Sequence, residues 1–321
     1  MYAETYEGIN SFLIGVSKLL RKEGVRRETR GSVCFELPEP AMFKITNPQA
    51  REVTIPERKW NRTLPYAESL WIASGRNDMA YITHYLARMK DFSDASLYMR
   101  GGYGPRYRDY NGEKNDYQIE SINVRQSGSV DQLRYVIECF KADAETRRAV
   151  MSFGDPMKDD FDSEGNLKLT KDIPCTRELH FMKQSGADKL DLIVRMRSND
   201  LIWGASAVNV FNYTFMLEYV TAILGMKVGN YYHIADNLHY YDRHEELVNV
   251  FSEMDGAEES ANVYEKTFGS LEEFDELVTR LSEEEIAMRK NMDEYQTTEF
   301  ADPFFQHWYE IIYEFNRNKR R

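Results

Sequence analysis

A cysteine at position 175 has the sequence setting that best suits covalent chemistry. Cys175 follows a proline in KDIPCTRELHF, at the mouth of a predicted strand. A thiolate is a strong nucleophile, and nearby cations such as Arg177 would favour that ionised form. The alternative is a buried, inert cysteine, which is the commoner fate of an isolated Cys. Cys34 and Cys139 fall on apolar faces of a predicted strand and a predicted helix, and they fit that structural role.

Arginines lie at the ends of a predicted helix and a predicted strand, where they could contribute to an anion-binding site. Arg147 and Arg148 end a helix in DAETRRAV, and adjacent guanidinium groups can converge on one oxyanion with bidentate geometry. Arg197 and Ser198 end a strand in VRMRSND, where an arginine and a hydroxyl would form a cup for phosphate. The structural alternatives are favourable charge at a helix C-terminus and a solvated strand end.

Three further side chains suit proton transfer and hydroxyl recognition. Glu68 lies on the apolar face of a predicted helix, where a carboxylate is costly unless it is paired or functional. Pairing with an arginine explains Glu68 equally well. His239 and Tyr241 are two residues apart, so in an extended segment they point the same way and could share a ligand hydroxyl. Taken separately, each is more often a hydrogen-bonded structural residue.

Helices and strands alternate irregularly in the predicted secondary structure. Hydrophobic periodicity predicts helices over residues 9–20, 65–75, 78–89, 133–140, 205–226 and 245–254. Alternating patterns predict strands over 33–37, 149–153, 178–183 and 190–197, and a short strand near Tyr231. Residues 92–115 are predicted to be a loop, and residues 157–172 a solvated insertion. The order indicates one α+β domain over residues 1–244, with an acidic, mostly helical and exposed C-terminal extension, residues 245–321, packed on it.

Composition excludes several classes of protein. The chain has 321 residues, of which 42% are hydrophobic, so it can form a substantial core. Its net charge of −12 repels phosphate backbones and argues against a general nucleic-acid binder, so any phosphate site must be a local basic pocket. Three widely spaced cysteines indicate a reduced, cytoplasmic setting. No signal peptide is predicted, and the apolar stretch 205–226 contains Asn209 and Glu218, which indicate a buried helix rather than a membrane span.

Taken in chain order, these pieces resemble the thymidylate synthase superfamily, from about Arg30 to about His244. Several motifs at near-constant spacing carry the resemblance, and together they are far more specific than any one of them. They are Ala67–Trp71, Tyr103-Gly104, Arg147-Arg148, Pro174-Cys175, Arg197–Asp200, Asn209 and His239–Tyr241. The resemblance implies a thymidylate synthase-like α+β fold, in which helices pack on a mixed β-sheet and one sheet face forms a homodimer interface.

The resemblance also implies a role for each motif residue. Cys175 would add to C6 of a pyrimidine deoxynucleotide, Glu68 would relay protons, and Tyr103 would close over the nucleotide. Asn209 would read the base, and Asp200 would bind the pterin of 5,10-methylenetetrahydrofolate. Charge, cysteine spacing and the polar residues in the apolar stretch already lead us to expect no nucleic-acid partner, no metal and no membrane. His239 and Tyr241 would bind the sugar hydroxyl. The residues that would bind the 5′-phosphate are Arg30, Arg197, Ser198 and, from the partner subunit, Arg147 and Arg148.

Departures from the family pattern fall mainly on the folate side. Thr176 stands where these enzymes usually have His, a Trp-rich segment is missing, and the chain ends FNRNKRR instead of in an apolar tail. One extra residue lies between Asp200 and Asn209, and an acid-rich region follows His244. A closed, dry site lets hydride reduce the exocyclic methylene intermediate to methyl, whereas a wetter site lets water add. The departures therefore favour the hydroxymethylase branch known from phage-type enzymes.

The residue at position 209 bears on the choice of base. An amide can both donate and accept, which matches O4 and N3–H of uracil, whereas cytosine-specific relatives carry Asp there. The sequence therefore predicts a methylenetetrahydrofolate-dependent dUMP hydroxymethylase in the cytoplasm, or in the host cytoplasm if a phage encodes it. Thymidylate synthase and dCMP hydroxymethylase are the alternatives. A non-catalytic nucleotide-binding relative and an unrelated cysteine hydrolase are less favoured.

Overall fold

The computed structural model describes residues 1–29, 31–95, 97–110 and 128–319, except for the side chain of residue 157. Contacts group the chain into two units. The first unit consists of Met1–Asn61, Cys175–Thr221 and Met226–Val263, and the second of Arg62–Pro174, Ala222–Gly225 and Tyr264–Arg321. The division into a catalytic domain, residues 1–244, and an extension, residues 245–321, stays a prediction.

The described residues form α-helices and β-strands at most of the positions that the sequence predicts. The helices are α1 Ile9–Glu23, α2 Thr63–Ala73, α3 Met79–Tyr85, α4 Tyr103–Arg108, α5 Gln132–Ala142, α6 Pro156–Asp159, α7 Val210–Leu224, α8 Glu245–Glu253, α9 Leu271–Lys290 and α10 Pro303–Lys319. The strands are β1 Tyr2–Tyr6, β2 Val25–Thr29, β3 Ser32–Glu36, β4 Ala41–Ile45, β5 Val150–Ser152, β6 Thr176–Lys183, β7 Lys189–Met196, β8 Asn199–Asp200, β9 Lys227–Ala235 and β10 Leu238–Tyr241.

A mixed sheet forms the centre of the first unit, with strands in the order β1-β4-β9-β7-β6. β6 and β7 form the predicted antiparallel hairpin, and β7 runs parallel to β9. The two faces of the sheet differ in burial, because side chains alternate along each strand. Phe43 lies on the buried face, where its ring packs edge-on against Phe12 of α1 at 5.5 Å. Met42, Ile193 and Tyr232 lie on the opposite face, which is only half-buried.

A second sheet in the first unit has the strand order β2-β3-β10-β8. One of its two inner strands, β10, runs antiparallel to β3 and parallel to the two-residue strand β8. His239 of β10 therefore pairs with Glu36 on one side and with Asp200 on the other. This register brings the end of the Arg197–Asp200 motif beside the His239–Tyr241 motif, two segments that are about forty residues apart in sequence.

Helices dominate the second unit, and the two C-terminal helices belong to its core. Trp308 of α10 is fully buried and donates its indole N–H to the Tyr66 carbonyl of α2 at 2.8 Å. Arg76 donates to Asp78 at 2.8 and 2.7 Å and to Ser282 of α9 at 3.2 Å. The expectation that the acid-rich region is mostly exposed is therefore wrong for α9, which buries an apolar stripe of Leu271, Phe274, Val278, Leu281 and Met288.

Two predicted irregular segments contain ordered structure that the composition did not indicate. The predicted loop 92–115 includes α4 over residues 103–108, and its last five residues lie outside the described chain. The predicted solvated insertion contains Lys158 and Asp159, each about 1% exposed, and the buried Asp172. Arginine side chains explain the burial of Asp159, because Arg106 binds its two carboxylate oxygens at 2.7 and 2.9 Å and Arg100 adds a bond at 3.1 Å.

None of the helices in the described ranges combines the length and the apolar character that crossing a membrane requires. Most side chains of α7 are buried, as predicted for the apolar stretch 205–226.

Removing the Asp159 carboxylate should destabilise the protein strongly. We expect Asp159→Ala to lower the free energy of unfolding by about 3–5 kcal/mol, because it leaves buried guanidinium charge unpaired. Burial by itself would raise the pKa of Asp159, but the hydrogen bonds and charge of Arg106 lower it. The stabilisation is therefore complete above the unfolded-state pKa of about 3.9 and is lost as the pH falls toward the lower folded-state value.

Urea denaturation at pH 7 and at pH 3 measures both effects. Asp160→Ala is the matched control, because Asp160 is the exposed neighbour of Asp159 and its loss should change the free energy of unfolding by less than about 0.5 kcal/mol. Equal stabilities of the two variants at pH 7 would contradict the ion-pair explanation.

Candidate active site

Cys175 lies at the end of the β6–β7 hairpin, next to Arg197. Cys175 immediately precedes β6, and Arg197 immediately follows β7. The Cys175 carbonyl oxygen accepts a hydrogen bond from the backbone N–H of Arg197 at 2.9 Å. The next residue, Thr176, is fully buried, and its hydroxyl bonds to that of Tyr213 in α7. Cys175 itself is a free, partly exposed thiol. The hairpin thus pairs the backbone of a candidate nucleophile with that of an arginine, and the thiol stays within reach of a ligand.

Asn237 links several of the predicted sugar and phosphate residues. Its Oδ1 lies 2.9 Å from Nδ1 of His239 and 3.5 Å from the Ser198 hydroxyl, while its Nδ2 donates to Glu36 at 2.7 Å. The rings of His239 and Tyr241 meet edge-on, with centroids 5.2 Å apart, as their two-residue spacing on a strand predicts. Sequence reasoning missed Asn237, and its only signal is its position two residues before His239 in the same segment.

The Asp200 carboxylate divides its two oxygens between different tasks. Oδ1 accepts the backbone N–H groups of Ile202 and Trp203 at 2.6 and 2.7 Å and so caps the helix that follows. Oδ2 is buried and has no hydrogen-bond partner among the residues that the structure describes. A buried carboxylate oxygen without a partner is costly, so it is well suited to accept a hydrogen bond from a ligand.

The extra residue before Asn209 is accommodated as a π-helix. Residues Leu201–Asn209 adopt this wider winding and run directly into α7. Backbone N–H groups in a π-helix bond five residues back, as Val210 does to Ala205, so one additional residue fits without breaking the helix. Asn209 consequently still reaches the end of the hairpin, where its Oδ1 accepts from Nδ2 of Asn199 at 2.8 Å.

Two buried residues of β9 extend this contact. His233 places its Nε2 2.9 Å from Oδ1 of Asn199, and its Nδ1 lies 2.9 Å from the Tyr231 hydroxyl. Burial lowers the pKa of His233 to about 4, so the ring is neutral near pH 7. We call Tyr231, His233, Asn199 and Asn209 the amide relay. Sequence reasoning missed its first three members, although a histidine at an inward-facing strand position is a usable signal.

Burial and charge act in opposite directions on His239. Burial lowers the pKa of His239, while the negative charges of Asp200 and Glu36, its neighbours across the strands, oppose that shift. The net direction is downward, which favours a neutral ring near pH 7. A neutral imidazole can donate from one nitrogen and accept at the other, as binding a hydroxyl group requires.

The second unit carries the other predicted site residues. Glu68 is half-buried on α2, and Tyr103 begins α4 with its ring edge-on to Phe153 at 5.4 Å. Arg147 and Arg148 precede β5 and are exposed, and no described residue forms a side-chain hydrogen bond or ion pair with either guanidinium. The first unit holds Cys175, Arg197, Ser198, Asp200, Asn209, His239 and Tyr241, and Arg30 lies outside the described residues.

Comparison with known proteins now identifies the family. The thymidylate synthase family model matches residues 16–277. This chain belongs to the thymidylate synthase family. The match confirms the predicted superfamily and the predicted α+β fold class with helices packed on mixed sheets. Membership also accounts for the order of the motifs that end in Cys175, Asp200 and Tyr241.

Several relatives within the family are phage proteins. A deoxyuridylate hydroxymethyltransferase of Bacillus phage SP01 is 37% identical over 221 residues, which cover 68% of this chain and 54% of the relative. One of Pseudomonas phage M6 is 32% identical over 293 residues, 88% of this chain and 75% of the relative. A thymidylate synthase of Bacillus licheniformis is 33% identical over 135 residues, 42% of this chain and 44% of the relative. The chain thus spans about half the length of the first relative.

Gly204 permits the contact between Asn199 and Asn209, and an alanine there should disrupt it. A Cβ at position 204 would lie 2.4 Å from Nδ2 of Asn199 and 2.9 Å from Oδ1 of Asn209. We expect Gly204→Ala to lower the free energy of unfolding by about 1–3 kcal/mol, because displaced buried amides lose their partners. Urea denaturation measures this change. Gly256→Ala is the control, since a Cβ there meets no atom within 4 Å; similar losses in both variants would refute the steric argument.

Proposed function

We propose that this protein transfers a one-carbon unit from 5,10-methylenetetrahydrofolate to C5 of dUMP and releases 5-hydroxymethyl-dUMP. The observation that carries the proposal is the partly exposed Cys175 at the open end of the β6–β7 hairpin, where its backbone bonds to that of Arg197, three residues before Asp200. Three phage relatives at 31–37% identity bear the name deoxyuridylate hydroxymethyltransferase, which favours this branch of the family.

The thiol has a defined chemical task in this reaction. C5 of a pyrimidine is a poor nucleophile, and addition of the Cys175 thiolate to C6 turns C5 into an enolate-type carbon. C5 would then bond to the one-carbon unit and lose its proton, and cleavage of the carbon–nitrogen bond would release tetrahydrofolate and leave an exocyclic methylene on the base. Water would add to this methylene carbon to form the hydroxymethyl group, and expulsion of the thiolate would restore the C5–C6 double bond. Glu68, on α2, would move protons at the base carbonyl through water, and Tyr103 would close over the nucleotide. A site open to water favours the hydroxymethyl product over methyl.

Guanidinium groups from two copies of the chain would bind the 5′-phosphate. Arg197 and Ser198 stand beside the nucleophile, and Arg30 would add a third group. The exposed Arg147 and Arg148 suit a role across a homodimer interface, because guanidinium groups that form no side-chain hydrogen bond or ion pair with a described residue can bind an external oxyanion. The half-buried face of the first sheet, with Met42, Ile193, Tyr232 and Ile234, is the surface that we propose for this dimer.

The remaining polar residues would hold the nucleoside and the folate. Asn209 would bind the base, and His239 and Tyr241 would bind the sugar hydroxyl, with Asn237 orienting His239. Methylenetetrahydrofolate would supply the one-carbon unit, and Oδ2 of Asp200, which no described residue hydrogen-bonds, suits a hydrogen bond to its pterin. A reaction that depends on a free thiol suits the reducing cytoplasm, including the cytoplasm of a phage-infected host.

Identification of the product tests the proposed reaction. Purified protein incubated with dUMP and methylenetetrahydrofolate should yield 5-hydroxymethyl-dUMP by mass spectrometry, with no rise in dihydrofolate absorbance. Formation of dTMP together with dihydrofolate would instead establish a thymidylate synthase. A higher yield of hydroxymethyl product from dCMP than from dUMP would establish the cytosine-specific reaction.

Exchange of the C5 hydrogen tests the nucleophile separately from the product. Cys175→Ala should abolish tritium release from [5-³H]dUMP, because C5 is activated only after the thiolate adds at C6. Cys139→Ala, which removes a partly buried cysteine from α5, should retain wild-type release. Exchange that persists in folded Cys175→Ala would refute the assignment. Nucleotide binding without exchange in the wild type would indicate a non-catalytic relative.

A further inference from the structure

The amide relay can run in only two directions. A neutral imidazole has one donor and one acceptor nitrogen, and each carboxamide has a donor end and an acceptor end. In the forward direction, Tyr231 donates to Nδ1 of His233, Nε2 of His233 donates to Asn199, and Nδ2 of Asn199 donates to Oδ1 of Asn209. In the reverse direction every donor and acceptor is exchanged, and both carboxamides are flipped.

The buried end of the relay distinguishes these directions. Tyr231 is fully buried, and its hydroxyl has no hydrogen-bond partner other than His233 among the described residues. In the forward direction its proton is bonded. In the reverse direction the hydroxyl would accept from His233, and its own proton would remain buried without an acceptor. An unpaired buried donor is costly, so the forward direction is favoured.

The direction of the relay determines what Asn209 presents to a base. In the forward direction, Oδ1 of Asn209 faces Asn199 and retains one lone pair, while Nδ2 points away as a donor. A pyrimidine with O4 and N3–H can accept from Nδ2 and donate to Oδ1. Cytosine offers an amino group at C4 and an acceptor at N3, so it requires the flipped amide, whose Nδ2 would face Nδ2 of Asn199.

We infer that Tyr231, acting through His233 and Asn199, locks the Asn209 carboxamide in the orientation that accepts uracil and rejects cytosine. This inference rests on the proposed function, since it assumes that Asn209 binds the base. Tyr231, His233 and Asn199 are positioning residues in this scheme, and they touch no substrate. The specificity of the site therefore depends on a tyrosine hydroxyl that lies three hydrogen bonds away from Asn209.

The tautomer of His233 tests the direction of the relay without any substrate. In ¹⁵N-histidine-labelled wild-type protein, long-range ¹H–¹⁵N spectra should show His233 protonated at Nε2 and unprotonated at Nδ1. The His233→Gln spectrum assigns the signal among the six histidines. A wild-type ring protonated at Nδ1 would overturn the inference.

Removing the hydroxyl tests its effect on specificity. Tyr231→Phe eliminates the hydroxyl that, among the described residues, distinguishes the two directions, so the ratio of kcat/KM for dUMP to that for dCMP should fall by about tenfold or more. Tyr309→Phe is the matched control, because it removes another buried hydroxyl, one that bonds to Tyr295 and to the Thr298 N–H. Tyr309→Phe should keep the wild-type ratio. An unchanged ratio in folded Tyr231→Phe would overturn the inference.

Flipping the Asn209 amide by a change at Asn199 provides a gain-of-function test that loss of folding cannot imitate. In Asn199→Asp, one carboxylate oxygen accepts from Nε2 of His233 and the other requires a donor from Asn209, so the Asn209 amide must flip. The variant should gain relative activity or affinity for dCMP over dUMP by about tenfold or more compared with the wild type. An Asn199→Asp protein that folds and keeps the wild-type preference would contradict the relay.

Failure of the proposed function remains distinguishable from failure of the relay. If wild-type protein turns over neither nucleotide, the proposed reaction is wrong, and the relay is then decided by the His233 tautomer and by the calorimetric affinities of dUMP and dCMP for the same variants. If wild-type protein converts dUMP but Tyr231→Phe and Asn199→Asp leave the preference unchanged, the reaction stands and the relay inference is refuted.

Discussion

The site depends on the β6–β7 hairpin, because its open end fixes where the nucleophile begins and where the phosphate motif ends. One backbone hydrogen bond, from the Arg197 N–H to the Cys175 carbonyl, closes that end of the hairpin. β8 follows at once and pairs with β10, which places Asp200 beside His239. Two short registers thus assemble a nucleophile, a cation, a carboxylate and an imidazole from segments that are distant in sequence.

Several polar groups in the first unit's site are buried, and each of these must bond to a partner in the protein or to a ligand. The amide relay shows the first solution, since four side chains that are at most 7% exposed satisfy one another in a continuous chain. Oδ2 of Asp200 is an example of a buried group that is available to a ligand, because it has no hydrogen-bond partner in the described part of the chain. A fully satisfied network is rigid and specific, whereas an unsatisfied oxygen favours binding of a donor.

The C-terminal helices α9 and α10 are structural parts of the second unit. Trp308 bonds to the backbone of α2, two residues before Glu68, and Glu285 of α9 lies in a buried cluster with Tyr85 and Arg289. Burial raises the pKa of Glu285 although the charge of Arg289 opposes this shift. The acidic composition of this region therefore conceals a core-forming face, and the helix that carries Glu68 is held in place by residues far beyond the last recognised motif.

The sequence by itself determined the family, the fold class and most helices and strands. Motif order and hydrophobic periodicity are local properties, so the β6–β7 hairpin, α2, α5 and α7 could all be predicted from neighbouring residues. Local patterns also led to errors, because the composition around Asp159 is that of a solvated loop, and only Arg100 and Arg106 explain its burial.

Only the tertiary structure decided which side chains meet. The sequence revealed an extra residue before Asn209 but not that a π-helix absorbs it, since helical winding depends on how both ends of a segment are held. It gave no reason to connect Tyr231 and His233 with Asn199 and Asn209, because the first two residues lie on β9, Asn199 lies on β8 and Asn209 ends a π-helix. Hydrogen-bond direction in a buried network depends on every partner at once, so it is a property of the folded chain and not of any motif.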